Sequence, residues 1–148
     1  MKNAQTMDKP NVLLVCVDHW GGRLFGRLGH PSILTPSLDQ LMASGITFTN
    51  AYSTSPVCVP ARRDLYTGTV PRTHGVRTQP NEAPIPSGIP SMPQLFRNAG
   101  YQAYGVGKLM IYPGRDRMGF DDILINEEGR HMYGVGADDY EMFLTEQG

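Results

Sequence analysis

The chain has 148 residues, with 13 Lys and Arg against 14 Asp and Glu and a formal net charge of −1. That length corresponds to about one ordinary domain. The charge balance excludes a strongly basic nucleic-acid binder and a polyanionic tail. Apolar residues make up 40 % and charged residues 18 %, enough to build a core and unlike a disordered segment. The 17 glycines and 12 prolines are roughly a fifth of the chain, against an average of about 12 %. Short elements joined by many loops are therefore expected, not a bundle of long helices. Two cysteines, Cys16 and Cys58, cannot form a disulfide scaffold. No segment approaches the ~20 apolar residues of a membrane span, and the polar start MKNAQTMDKPN carries no small-residue cleavage site. A soluble, cytoplasmic protein without membrane or nucleic-acid partners is the expectation.

In chain order, residues 1–10 read as a flexible lead-in and residues 11–148 as the folded part. Residues 12–17, VLLVCV, are continuously apolar and β-branched, which predicts a central strand of a parallel sheet covered on both faces, with Cys16 an inert core residue. The polar cluster that follows, Asp18 and His19 before Trp20, sits where open α/β sheets place ligands. A Gly-rich loop over residues 21–34 leads to a helix capped by Thr35, with Pro36 in its first turn and Leu38, Leu41 and Met42 on one face. Gly45 is its expected left-handed cap. Residues 46–52 predict a strand with Ile46, Phe48 and Ala51 inward. Residues 53–58 read as loop, and Pro60 starts a second helix carrying Arg62 and Leu65 that Gly68 stops. The proline-rich residues 69–90 read as an ordered loop. Ser91 and Gln94 form a capping box for a helix that runs through Ala99 and closes at Gly100. Residues 101–106 predict a strand ending at Gly107 and Lys108. Residues 111–136 read as loop with a turn at residues 118–121, and residues 138–145 as a final short helix. The alternation is an α/β pattern.

The sharpest chemical feature is Cys58-Val59-Pro60-Ala61-Arg62. With Cys58 just before a helix, unsatisfied backbone N–H groups of the first turn favour an anion beside it. Arg62 adds a permanent charge and a planar donor fork suited to a tetrahedral oxyanion. Such a pattern suits transfer of a sulfuryl or phosphoryl group; the plain alternative is an ordinary loop cysteine.

The surrounding motifs extend the pattern. Pro10-Asn11-Val12-Leu13-Leu14, Asp18, Thr35-Pro36-Ser37-Leu38-Asp39-Gln40-Leu41, Gly45-Ile46-Thr47-Phe48-Thr49-Asn50-Ala51-Tyr52 and the Cys58 element follow one another. Tyr66-Thr67-Gly68, Pro71-Arg72-Thr73-His74-Gly75-Val76, Gly100-Tyr101, Gly107-Lys108 and Gly119-Phe120-Asp121 continue the series. In order and spacing they resemble the N-terminal part of the type I sulfatases over about residues 10–125. The resemblance implies an alkaline phosphatase-like, sulfatase-like mixed sheet flanked by helices, incomplete in this chain. It implies that a maturase oxidises Cys58 to formylglycine. One hydroxyl of the hydrated aldehyde would attack the sulfur of a small-molecule or saccharide sulfate ester, and the alcohol would leave. The second hydroxyl would then lose its proton, re-forming the aldehyde and expelling sulfate. Ala61 stands where many members have Ser.

The resemblance further implies Cys58, Arg62 and Lys108 as catalytic residues, Lys108 matching the lysine that contacts the sulfate. It implies a divalent cation, calcium first and magnesium or manganese as alternatives, held by Asp18, His19 and the modified Cys58. His19 replaces a second Asp of many members, and imidazole suits a hard cation poorly; ligation of a softer metal such as manganese, substrate contact and simple packing all remain open for it. Met110 stands where the family has His, so either another histidine, His74 or His131, takes that place or activity is altered. His74 reads as architectural. Trp20, Tyr112 and Arg115 are further pocket candidates, with packing as the alternative. Family members are several hundred residues long, so the chain is expected to be a piece of a longer enzyme, inactive alone and prone to self-association through open sheet edges. Two alternatives accompany the sulfatase reading: a phosphonate monoester or phosphodiester hydrolase of the same superfamily, and a non-catalytic remnant.

Overall fold

The structure is a computed structural model that describes residues 9–79, 84–128 and 138–148. Most of the expected lead-in and His131 lie outside the described residues. Contacts divide the chain into two compact units, Met1–Ala51 and Tyr52–Gly148.

In the first unit, residues 12–17 form no strand, a correction to the sequence reading. Leu13 is 88 % exposed, and Val12, Val15, Val17 and Cys16 are exposed as well. A strand apolar on both faces needs a ladder on each side and a layer above and below. Among the described residues nothing pairs with this run, so its β propensity has no ladder to act through. The same holds for residues 46–52, where Ile46 and Phe48 point to solvent at 85 % and 79 % exposure instead of inward.

What orders this unit is a polar latch. A 3-10 turn, Gly26–Leu28, packs on helix α1, Pro36–Ser44. The Thr35 hydroxyl, expected to cap α1, instead accepts from the Gly26 N–H at 2.9 Å and donates to Asp39 Oδ1 at 2.8 Å. The Arg27 N–H also donates to that carboxylate, at 3.1 Å. A Cβ on Gly26 would stand 3.0 Å from Asp39 Oδ2, so the turn approaches as closely as glycine allows. Gly45 ends α1 in extended rather than left-handed backbone, with φ −128°.

The second unit contains helices α2 (Cys58–Thr67), α3 (Pro71–His74), α4 (Met92–Asn98) and α5 (Asp139–Gln147), and strands β1 (Tyr104–Gly107) and β2 (Asp122–Ile125). Gly68 and Gly75 close α2 and α3 in the left-handed region, at φ 63° and 79°. The turn α3 lies inside the region read as loop; Pro71 presets its first residue. Ser91 caps α4 by accepting from the Gln94 N–H, whereas Gln94 turns to Asn98 instead of completing the box. Asp138 and Glu141 form a full reciprocal capping box on α5.

The strands β1 and β2 pair in parallel, Tyr104 opposite Asp122 and Gly107 opposite Ile125. β2 falls where loop was expected, because four residues are too short to show a period. The Gly119-Phe120-Asp121 turn places it. Asp121 exchanges backbone and side-chain bonds with Ala103 at 2.7 and 2.8 Å, setting the register immediately before the first pair. Gly119, at φ 98°, leaves no room for a Cβ: Ser91 Oγ would lie 2.7 Å away and the Gln94 nitrogen 2.8 Å.

The core forms around the segment after β1. Met110 packs with Val59 of α2, alongside Cys58, Val76 and Tyr112. Leu109 and Ile111 pack with Ile125, Met118 and Ile123. Alternate side chains of residues 109–111 thus fasten the helices on one side and the sheet on the other. Among the described residues, no helix is long and apolar enough to cross a membrane.

Candidate active site

The helix α2 begins at Cys58 itself, two residues earlier than the start predicted at Pro60. Its first internal bond runs from the Ala61 N–H to the Val57 carbonyl at 2.9 Å. The Val57 N–H is used by Ser55 at 2.8 Å, Pro60 has no N–H, and no side chain caps this end. The first-turn donors of Cys58 and Val59 are therefore not consumed by the helix, the arrangement that favours an anion at a helix start. Cys58 is half-buried, its inner side against the Val59 and Met110 cluster.

Arg62, one turn on, is placed as a brace. Its Nη1 donates to the Cys58 carbonyl at 3.4 Å and its Nε to the Lys108 carbonyl at 3.2 Å. The guanidinium thus ties the first residue of α2 to the segment that leaves β1. Tyr66, a further turn along the same helix, donates its hydroxyl to the Leu109 carbonyl at 3.1 Å. The Lys108 side chain is only 9 % exposed, and its Nζ lies 3.2 Å from Glu128 Oε1.

Met110, where the resemblance leads one to expect a histidine, is 1 % exposed and wholly packed. His74 does not replace it: it is 5 % exposed and occupied on both sides. Its Nδ1 accepts from the Val76 N–H at 3.1 Å, which leaves the proton on Nε2, facing Asp64 Oδ1 at 2.7 Å. The Thr54 hydroxyl donates to the other oxygen of Asp64. This chain of bonds ties α3 and residue 54 to α2.

In the first unit, Asp18 and His19 form an exposed two-residue turn, with His19 in left-handed backbone at φ 57°. The pair offers one carboxylate and one imidazole. Calcium takes six to eight oxygens, so these two side chains alone make only a partial donor set for it, and the imidazole is the donor that suits it poorly. Trp20 packs its ring on Phe25, 5.9 Å between centroids. Tyr112 lines an open cavity of ≈ 340 Å³ with Ile85, Ile89, Pro113 and Asp116. Arg115 is paired with Asp139 at 2.9 Å.

Tyr66 and Glu127 are the residues the sequence reading missed. Glu127 is 4 % exposed, and its Oε1 accepts from the N–H groups of both Leu109 and Met110, at 3.0 and 2.7 Å. Tyr66 belongs to the Tyr66-Thr67-Gly68 motif, which carries no chemical signal by itself, and Glu127 sits in a stretch that reads as loop. Neither carries a spacing signal.

Comparison with known proteins gives a consistent result. A family model described as sulfatase matches residues 10–140. The ulvan-active sulfatase of Formosa agariphila is 36 % identical over 121 residues, covering 76 % of this chain and 23 % of that protein. Human N-acetylgalactosamine-6-sulfatase is 39 % identical over 110 residues, covering 67 % and 21 %. Among solved structures, the phosphonate monoester hydrolase of Agrobacterium radiobacter superposes with a TM-score of 0.65 at 28 % identity, covering 88 % of this chain and 25 % of that one. The chain spans about a quarter of the length of the curated relatives it matches.

Proposed function

Since the chain belongs to the sulfatase family, we propose that it carries the nucleophile-bearing part of a sulfuric ester hydrolase, with Cys58 as the precursor of a formylglycine nucleophile. The observation that carries this reading is the start of α2: Cys58 heads a helix without a side-chain cap, and Arg62 braces it to Lys108. In the proposed reaction the hydrated aldehyde at position 58 attacks the ester sulfur, and the alcohol departs. Loss of the second hydroxyl's proton then expels sulfate and restores the aldehyde. Arg62 holds the nucleophile-bearing residue through its carbonyl, leaving charge neutralisation of the bound sulfate to Lys108 and the first-turn N–H groups. To reach a sulfate, the Lys108 ammonium exchanges its Glu128 partner for the anion. The substrate class is a sulfated saccharide, as the names of the ulvan-active and N-acetylgalactosamine-6 relatives indicate for those proteins.

A divalent cation at Asp18, with His19 as a softer second donor, supplies charge for polarising a sulfuryl group when bound. Manganese binding in equilibrium dialysis that survives Asp18→Ala contradicts this assignment.

A second reading, hydrolysis of phosphonate monoesters, draws on the Agrobacterium structure and on His19 in place of a second Asp. Parallel titrations with an aryl sulfate and an aryl phosphonate monoester, followed by NMR, test the choice. Tighter binding of the sulfate, lost in Lys108→Ala, is expected. Preference for the phosphonate supports the second reading, and binding of neither contradicts both.

A further inference from the structure

Four side-chain bonds converge on the short segment that carries Lys108. β1 ends at Gly107, whose carbonyl still accepts from the Asn126 N–H at 3.1 Å. Beyond it the backbone leaves the ladder, with Gly107 at φ 102° and Met110 at φ 51°. A non-glycine residue at positive φ is held there only when its surroundings over-determine it. Here the Lys108 carbonyl accepts from Arg62 and the Leu109 carbonyl from Tyr66. The N–H groups of Leu109 and Met110 both donate to one oxygen of Glu127.

Glu127 is an expensive way to satisfy two amides. Its carboxylate is buried, and its Oε2 has no hydrogen-bond partner among the described residues. Burying such a group is unfavourable unless its bonds do something an apolar side chain cannot. It is itself held in place: the Glu127 N–H donates to Asp138 Oδ2 at 2.9 Å, and Asp138 caps α5. Glu127 thus transmits the position of a capped helix to the peptide groups directly after Lys108.

We infer that Glu127 is a positioning residue for Lys108, fixing the Leu109 and Met110 peptides so that the ammonium leaves the segment in one direction. The inference rests on the reading of Lys108 as the sulfate-contacting group, and the experiment separates the two. The chain contains three lysines, Lys2, Lys9 and Lys108. With ¹³C-labelled lysine, the Cε signal that Lys108→Ala deletes is the Lys108 signal. It is followed in the full chain, and inorganic sulfate is then titrated in. In the unsubstituted chain the Lys108 signal is expected apart from those of the other lysines and to move with sulfate. Glu127→Gln keeps an oxygen acceptor for both amides and is expected to keep the signal position, with sulfate affinity within about twofold. Glu127→Ala is expected to shift the signal toward the position of a solvated lysine and to weaken sulfate binding about tenfold. Should Glu127→Ala not fold, Tyr66→Phe, which removes only the hydroxyl on the Leu109 carbonyl, is expected to give a smaller shift in the same direction. An unmoved Lys108 signal in Glu127→Ala, or in Tyr66→Phe where it stands in, overturns the inference. A signal that moves with Glu127→Ala but ignores sulfate in every variant leaves the positioning role standing and overturns the sulfate role of Lys108.

Discussion

At the scale of single residues, Gly119 shows how little freedom the second unit has. Two independent constraints meet there: a left-handed φ of 98°, and contacts under 3 Å that any Cβ would make with Ser91 Oγ and the Gln94 nitrogen. Gly75 shares only the first, at φ 79° with open space around it. Gly75→Ala should therefore cost about 1 kcal/mol, the left-handed penalty alone. Gly119→Ala should cost about 2–4 kcal/mol, because the start of α4 must also move. Urea unfolding of the two variants checks this; equal costs would show that the turn yields without disturbing α4. The sequence signals this turn, since Gly119-Phe120-Asp121 is part of the motif series, and it signals the Cys58 element for the same reason. It does not signal Glu127. A lone buried carboxylate has no period and no fixed partner spacing, and its meaning depends on which amides the fold brings to it. Nor does it signal that Arg62 braces carbonyls, because guanidinium N–H groups can donate to a carbonyl as well as to an oxyanion.

At the scale of elements, helices were more legible than strands. Ser91 caps as its neighbours predict, because a cap is a local bond between residues three apart. Residues 12–17 and 46–52 read as strands and are not, because a strand is made by its ladder partners. Asp139 joins α5 directly to β2. Asp139 accepts from the Ile125 N–H at 2.5 Å and from Arg115 Nη1 at 2.9 Å. Burial alone would raise its pKa, but those two bonds and the Arg115 charge hold it below the ordinary 3.8. A carboxyl lowered in the folded state stabilises fully above its unfolded pKa, and that contribution is lost as pH falls through the folded value. Above about pH 5 the carboxyl is ionised in both states, and the stability gap between the unsubstituted chain and Asp139→Asn should be constant. The gap should shrink below about pH 4. Unfolding midpoints from pH 6 to pH 2.5 test this, and a gap independent of pH would contradict it.

At the scale of the whole molecule, the second unit buries one face of its sheet and leaves the other bare. Gly105, Ile123 and Ile125 face the cluster of Leu109, Ile111 and Phe120, while Tyr104, Val106 and Leu124 are exposed. α5 likewise keeps Tyr140, Met142, Phe143 and Leu144 largely open. The family and its α/β fold were legible from many motifs in register, whereas the bare faces depend on which strands and layers are present. The account depends most on position 58. The chain should be co-produced with a formylglycine-generating maturase, and the peptide spanning residues 53–62 weighed by mass spectrometry. Conversion of the thiol to an aldehyde predicts a species about 18 Da lighter, absent from Cys58→Ala. A peptide that keeps the full cysteine mass under those conditions would contradict the proposed nucleophile.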